Sequence, residues 1–564
     1  MGAPDFSVIA SMQDQTREYY SRKIIDQIPS MVDDLDLQFG NVYEKFIRMS
    51  NEGLLKSEVT RNELAVHVKW YTKGDGVTDD AAGIMTAANL AVSLGVPLDF
   101  DGTKTYAFAS QLAFPANITL RFNGATLLKN YVSSTHGIVL TDNTMVIGKW
   151  KVNVISNAAS NTGVYLNGNN ILPGQLTVNG LNGDQLGTNA ILIGDLAVTK
   201  TGIYCDGAVV TGFRSPVRII NADKGSFTNF NISNFMTGIY VINVTNFVID
   251  KGEITGTSAS STGGAGQNGI LIEAQNADYG VRNLHISNVL VDGAPEHSNR
   301  IGGGFSVSDV TFRDCISRNP GNAPGNTATG GSAFKVLGTN GHLHYNVQWI
   351  NLTAEDGSTS ASGINNHAQF HIGFVSGMTI INPKLRAKGK TYSGQIGMLI
   401  FAANDVQIDG MDLKDTLRQT LYLMKDSTEP SPPVGLTNIR INGGFVDSAV
   451  TNKTINLEPA SGPFKDIFIE GVTASRGGMA VQCETVTTVG SDTGSYTNVN
   501  IGVKYINAPT GSSTLPVVNG DLVVLNYTGP IYGTGTIASK DGGAYFNITA
   551  GTRFNRKAGA WVAV

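Results

Sequence analysis

Cysteine is scarce in this chain: 564 residues carry three, Cys205, Cys315 and Cys483. The number is odd, the spacing is wide, and no Cys-x-x-Cys or Cys/His ligand pattern occurs, so no disulfide framework and no metal site are expected. Charge is sparse too. Asp, Glu, Lys and Arg make up 15% of the chain, and a net charge of −5 leaves no basic footprint for nucleic acid or an anionic membrane surface. A neutral or mixed-charge ligand suits that balance better. No apolar run approaches the roughly 18 residues of a membrane span, and no basic stretch followed by an apolar core opens the chain, so neither membrane insertion nor export by a signal peptide is expected. Walker, dinucleotide and Gly-x-Ser-x-Gly fingerprints are missing from any strand-to-helix setting, which points to no cofactor.

Glycine, by contrast, is abundant: 67 residues alongside a 41% hydrophobic content, the profile of many short strands broken by turns rather than of disorder. A four-residue phrase, a polar or turn residue followed by apolar, any, apolar, starts at Asn229, Asn246, Asn283, Asp309, Asn346, Gly377, Asp405, Asn438, Asp466 and Asn498. The starts are 17, 37, 26, 37, 31, 28, 33, 28 and 32 residues apart, the irregular period of a solenoid whose units bury their apolar faces against their neighbours. A second phrase, Gly followed by alternating apolar residues, begins at Gly137, Gly163, Gly202, Gly238, Gly269, Gly304 and Gly397, out of phase with the first. Both phrases have the period of two that marks a strand, and no helical pattern separates them. The expected fold is all-β: a parallel β-helix solenoid, whose right hand is what the resemblance named below implies.

Residues 1–66 differ in kind. Met12, Tyr20, Ile24 and Ile28, then Val42, Phe46, Met49 and Leu54, recur at helical spacing, so two or three amphipathic helices are expected there as an attachment or neck segment. Residues 67–139 are expected to cap the solenoid, 140–503 to form its coils, and 504–564 to form a small C-terminal β domain around Leu522–Leu525, Tyr545–Ile548 and Ala560–Ala563.

Within the cap, Gly74-Asp-Gly-Val-Thr-Asp-Asp80 precedes the Ala-rich run 81–91, with Thr78 as the expected N-cap; Gly102-Thr-Lys-Thr-Tyr106 and Ile118-Thr-Leu-Arg-Phe-Asn-Gly124 follow. This succession resembles the opening of the pectate-lyase-like right-handed β-helix superfamily. With a helical N-terminal segment ahead of it, the whole resembles a bacteriophage tailspike with polysaccharide-depolymerase activity. The resemblance implies a homotrimer on the virion tail, joined to the phage tail or another spike protein through its N-terminal segment. It also implies a bacterial surface polysaccharide, capsule or O-antigen, as partner, and structural roles for Asp75, Asp79 and Asp80.

The phrases also place side chains on the outside of the coil. One outward column reads Ile242, Glu273, Ser308, Lys335, His367 and Phe401; a second reads Val248, His285, Thr311, Gln348, Thr379 and Gln407; a third reads Asp250, Ser287, Arg313, Ile350, Ile381 and Asp409. Glycoside hydrolysis needs two carboxyls about 5 to 9.5 Å apart. Glu273 is the leading catalytic candidate, because Lys335 and His367 share its column. It has no acid directly above or below, so its partner is sought in the loop acids Asp292 and Glu296, with Glu253 as a further candidate. Lys335, His367, His285, Arg313 and Tyr240 are the expected substrate-binding residues, and Tyr240, Tyr204 and Tyr165 form an expected strip that either stacks on sugar rings or packs between subunits. Asp309, Asp405 and Asp466 are set aside as members of an Asn/Asp corner ladder. Endo-glycosidic hydrolysis is the expected chemistry. Two alternatives stay open: β-elimination, with His285, His367 or Lys335 as base, and a non-catalytic trimeric adhesin.

Overall fold

The computed structural model describes residues 65–130, 136–155, 162–180, 189–256, 267–321, 331–339, 341–357, 368–424, 435–448, 453–458, 463–476, 479–483, 488–489, 492–493, 495–506, 520–524, 527–528, 544–547, 552–557 and 560–563. The expected helices of residues 1–66 and the candidate His367 lie outside these, apart from residues 65 and 66.

One coil shows why the chain winds as it does. Ile239–Ile242 forms a first sheet, and Thr245–Thr255 then runs through a second and a third sheet. The 11-residue strand turns at Lys251, whose φ of 55° bends it between Asp250 and Gly252. Thr255 leads on to Ile270–Glu273, which pairs parallel with Ile239–Ile242, and Arg282–Asp292 pairs parallel with Thr245–Thr255. Coil after coil adds in this way, so every strand finds its hydrogen-bond partners in the coils above and below. Alternation sends Ile239, Val241, Phe247, Ile249 and Ile254 into the core, all of them fully buried. Aromatic residues stack along the axis in the same register, as Phe334 does on Phe370 at 5.6 Å between ring centroids. Cys205 and Cys315 are buried and unpaired.

The repeated Asn and Asp mark the corner before the second sheet. Asn246, Asn283, Asp309, Asn346, Asp405, Asn438, Asp466 and Asn498 all have φ between 51° and 55°, and Gly377 has 71°. That left-handed conformation favours Asn, Asp and Gly. Their side chains join coil to coil: the Asn283 amide donates to Asn246 Oδ1 at 2.7 Å, Asn346 to Asp309 at 3.0 Å, and Asn498 to Asp466 at 2.7 Å. Asn229 does not belong to this column. It stands opposite Lys251 at the next corner, and the slot below Asn246 is taken by Lys224, also left-handed at φ 53°. The phrase is hidden there because Gly225 replaces its first apolar residue: a Cβ on Gly225 would stand 2.6 Å from the Phe247 ring.

At the N-terminal end the helix Ala81–Leu94 turns Ala81, Ile84, Ala87, Ala88 and Ala91 inward. Its N-cap position is Asp80, not Thr78. Thr78 is taken up by Asp75, which accepts its backbone N–H at 2.7 Å and its hydroxyl at 2.8 Å. Asp80 accepts the N–H groups of Lys73 and Gly74, and Asp79 those of Ala81 and Ala109. The acidic cluster thereby ties turn, helix and first coils together. At the other end the parallel ladder continues through Gly520–Val524 and Tyr527–Thr528 to Ala544–Asn547, and gives way to antiparallel pairing with Thr552–Lys557 and Ala560–Ala563.

Candidate active site on the outer face of the first sheet

The central, outward position of the first sheet reads, coil by coil, Val139, Tyr165, Leu192, Arg218, Tyr240, Leu271, Arg300, Lys335, His371, Leu399 and Tyr422. Apolar residues occupy both ends. Val139, Tyr165, Leu192, Ile220 and Ile242 cluster on one side, and Leu399, Phe401, Tyr422 and Met424 on the other. Between these two buried clusters lies a charged stretch. This register corrects the first expected column: Glu273 is followed by Gly302, Lys335 belongs to the Tyr240 column, and Ser308 pairs with Tyr345 away from both. The error has a plain cause. The first-sheet strand of that coil is Asn299–Gly302, which has no leading glycine, whereas Gly304-Phe-Ser-Val307 copies the phrase without making a first-sheet strand.

Two groups of residues meet on the charged stretch. In one, the Tyr240 hydroxyl donates to Glu273 Oε2 at 2.6 Å and accepts from Gln275 Nε2 at 2.6 Å, with the Arg218 guanidinium 5.5 Å from the ring centroid. Burial, reinforced by the hydrogen bond to the Glu273 carboxylate, pushes the Tyr240 phenol well above its ordinary value, so the proton stays on tyrosine. In the other, Glu296 Oε1 lies 3.2 Å from His297 Nε2, and Lys335 Nζ lies 3.3 Å from that same nitrogen. His297 Nδ1 accepts the N–H of Ser332 at 3.0 Å, which assigns the ring proton to Nε2, facing Glu296. Burial and the charge of Lys335 lower His297 to about 3, so the ring is neutral. Burial and the neighbouring Arg300 lower Lys335 from 10.5 to about 8. His371 stands next to Lys335 in the ladder, only 2% exposed, and burial holds it well below 6.5.

The structure therefore brings Glu273 together with Tyr240 on the outer face of the first sheet, and sets Glu296, in the turn that leads into Asn299–Gly302, beside His297 and Lys335. The other candidates lie elsewhere. Asp292 ends a third-sheet strand, where Arg318 approaches it at 3.4 Å and Asn319 donates to it at 3.0 Å. Arg318 in turn donates to Glu355 at 2.8 Å, which makes a ladder of alternating sign. Glu253 is exposed on the third sheet, in an open cleft of about 430 Å³ beside Lys251 and Asp314. His285 and Arg313 are exposed on the second sheet, His285 with Nε2 3.0 Å from Asn283 Oδ1. Tyr204 is also on the second sheet, paired with Ser226, so Tyr165 and Tyr240 share a column without it. Arg218, Gln275, His297, Arg300 and His371 were not among the expected site residues. Arg218 and Arg300 each occupy the middle of an apolar-x-Ile or Asn-x-Ile strand, the slot that holds Tyr240 and Lys335, and that pattern was available in the sequence without its glycine.

The chain is a parallel β-helix. No protein-family model and no curated protein matches it. Among solved structures it is similar to the A-module of the mannuronan C-5 epimerase AlgE6 of Azotobacter vinelandii, at 14% identity and a TM-score of 0.44, over 78% of this chain and 99% of that one. It is also similar to tailspike protein 3 of bacteriophage CBA120, at 11% identity and a TM-score of 0.32 over 88% and 68% of the two chains. A third is the exopolygalacturonase of Thermotoga maritima, at 9% identity and a TM-score of 0.36 over 74% and 91%. Likenesses of this size add nothing to the site, and the fold rests on the parallel ladder itself.

Proposed function

We propose that this β-helix cleaves glycosidic bonds of a bacterial surface polysaccharide, capsule or O-antigen, by hydrolysis. The observation that carries the reading is the Tyr240–Glu273 pair at 2.6 Å, half-buried on an outward face between two buried apolar clusters. Tyr240 donates to one carboxylate oxygen and fixes its orientation, leaving the other to take a proton from the attacking water. The second carboxyl that the reaction needs, to deliver a proton to the glycosidic oxygen, is assigned to Glu296, in the turn before Asn299–Gly302. Asp292 is left out of the reacting set because Arg318 and Asn319 engage it on a different sheet. With the cap motif from Gly74 to Asp80, the same reading makes the protein the homotrimeric spike of a phage tail, attached through residues 1–66.

The test is release of reducing ends from purified capsule or O-antigen, set against the Glu273→Gln variant. No release by the parent protein, with tight binding retained, would leave an adhesin. One observation favours a second chemistry: Lys335, lowered to about 8 next to Arg300, has the makings of the base of a β-elimination. Ultraviolet absorbance of an unsaturated product separates the two, since only elimination creates a double bond.

A further inference from the structure

The overall charge of −5 says nothing of an acidic ligand, but the local distribution does. Arg218, Arg300 and Lys335 occupy one outward slot of the first sheet, and Arg300 and Lys335 are direct neighbours in the ladder. Strands in a sheet stand roughly 4.8 Å apart, and like charges placed directly opposite each other destabilise it. The third sheet solves this problem with alternating signs, as Asp292, Arg318 and Glu355 do. The first sheet leaves it unsolved: among the described residues Arg218, Arg300 and Lys335 make no ion pair. Arg218 Nε and Arg300 Nε are buried without a hydrogen-bond partner, and so are both ring nitrogens of His371, directly beyond Lys335. Arg218 and Arg300 thus hold unanswered donors, and Lys335 has His297 and Glu296 beside it without an ion pair of its own, on the face that carries Tyr240 and Glu273.

We propose that this face takes an acidic polysaccharide, whose sugar carboxylates are held by Arg218 on one side of the Tyr240–Glu273 pair and by Arg300 and Lys335 on the other. The inference rests on the reading of this face as a glycan-cleaving site and names its substrate class. A guanidinium is the donor of choice for a carboxylate because its N–H groups match the two oxygens. Arg218 and Arg300 lie three coils apart, roughly 14 Å at the usual strand spacing, so they hold two different sugars of one chain laid along the axis. Lys335 responds to the same event: a carboxylate arriving beside it offsets the neighbouring Arg300 charge and favours the protonated amine.

The full-length protein is assayed for reducing-end release and for binding against a panel of purified bacterial capsules and O-antigens, acidic and neutral. The polysaccharide that is cleaved is then converted to its carboxyl-reduced form with carbodiimide and borohydride. Carboxylate-bearing polysaccharides are expected to be the substrates, and reduction to lower kcat/KM roughly 10- to 100-fold, mainly through KM, as expected for the loss of charge-assisted hydrogen bonds. Arg300→Gln and Arg218→Gln should each shrink the ratio between the native and reduced forms, and the pair of variants keeps the test open if one fails to fold. Cleavage of neutral polysaccharides, or undiminished cleavage after carboxyl reduction, overturns the proposal, and in the latter case retained dependence on a phosphate or sulfate substituent identifies the other anion. Binding of acidic polysaccharides without any release keeps the ligand class and removes the chemistry. Neither binding nor release with any member of the panel overturns both.

Discussion

Replacing Lys335 with methionine should make the protein more stable, and by a margin that depends on pH in a defined way. The amine sits on the outer face of the first sheet at 6% exposure, with Arg300 alongside it, and its ordinary value of 10.5 falls to about 8. The folded protein therefore gives up this proton near pH 8, whereas the unfolded chain holds it to about 10.5. Between these values the unfolded state binds more protons, so the contribution of Lys335 to stability improves as pH rises; below pH 8 its penalty is complete. At 1.36 kcal/mol per pH unit the penalty is about 3 kcal/mol. Methionine keeps most of the side-chain volume and has no charge to desolvate. Lys335→Met should thus gain up to about 3 kcal/mol at pH 6.5, less at pH 9 and nothing near pH 10.5, while turnover falls. Guanidinium midpoints of parent and variant at those three pH values, each after full equilibration, check it. A variant less stable at pH 6.5, or more stable by the same margin at every pH, would refute the reasoning. The outcome expected here is that of a scaffold holding a destabilising group for its function.

Glu273→Gln keeps shape and hydrogen-bonding capacity but cannot take up a proton, so turnover should drop at least about a hundredfold with glycan binding intact, measured by reducing-end release and by retention of the polysaccharide. Asp292→Asn should lose at most about 1 kcal/mol, seen as a small shift in denaturant midpoint, with turnover preserved, because its partner Arg318 is a half-exposed third-sheet residue that still has Glu355; abolished turnover would return Asp292 to the reacting set. Gly225→Ala would drive a methyl to 2.4 Å from the Ile203 carbonyl and 2.6 Å from the Phe247 ring, and should cost roughly 1–3 kcal/mol, or yield insoluble protein on expression. Light scattering should give about three times the chain mass of 59.6 kDa with or without reductant; a monomer at micromolar concentration would remove the trimer from the proposal.

The coil architecture was legible because its two causes are local. Period-two alternation writes the inward face, and a left-handed corner accepts few residue types, so Asn246, Asn283 and Asn346 announce themselves one by one. The second-sheet columns through His285 and Arg313 came out in register for that reason. The site was harder to see. A first-sheet strand needs no special backbone at its start, so Ser215–Ile220 and Asn299–Gly302 carry no glycine flag, and Arg218 and Arg300 stay anonymous until the ladder aligns them with Tyr240. Glu273 and Tyr240 are 33 residues apart in sequence, and only the pairing of two coils makes them neighbours. Asp292 and Glu296 are four residues apart but on opposite sides of a turn, and what separates them is the direction in which the chain leaves the third sheet.

The corner between the second and third sheets has a further consequence for how such a chain can change. Thr245–Thr255 and Arg282–Asp292 are both 11 residues long and match position for position across that corner, with Lys251 opposite Asn288. Ser495–Ile506 takes that corner with one residue fewer than Pro463–Arg476, with Ile501 opposite Ile469 and Val503 opposite Val472, so length there is held to within a residue in these coils. The passage from the third sheet to the first has no such rule: Thr255 is followed by 14 residues before Ile270, and Asp292 by six before Asn299. Both passages lead into first-sheet strands, Ile270–Glu273 and Asn299–Gly302, which continue the column of Tyr240. Length and composition can therefore be exchanged at that passage without disturbing the frame of the coils. A lineage could keep one scaffold and, on the proposed reading, meet a new surface polysaccharide by replacing a loop rather than by rebuilding a core.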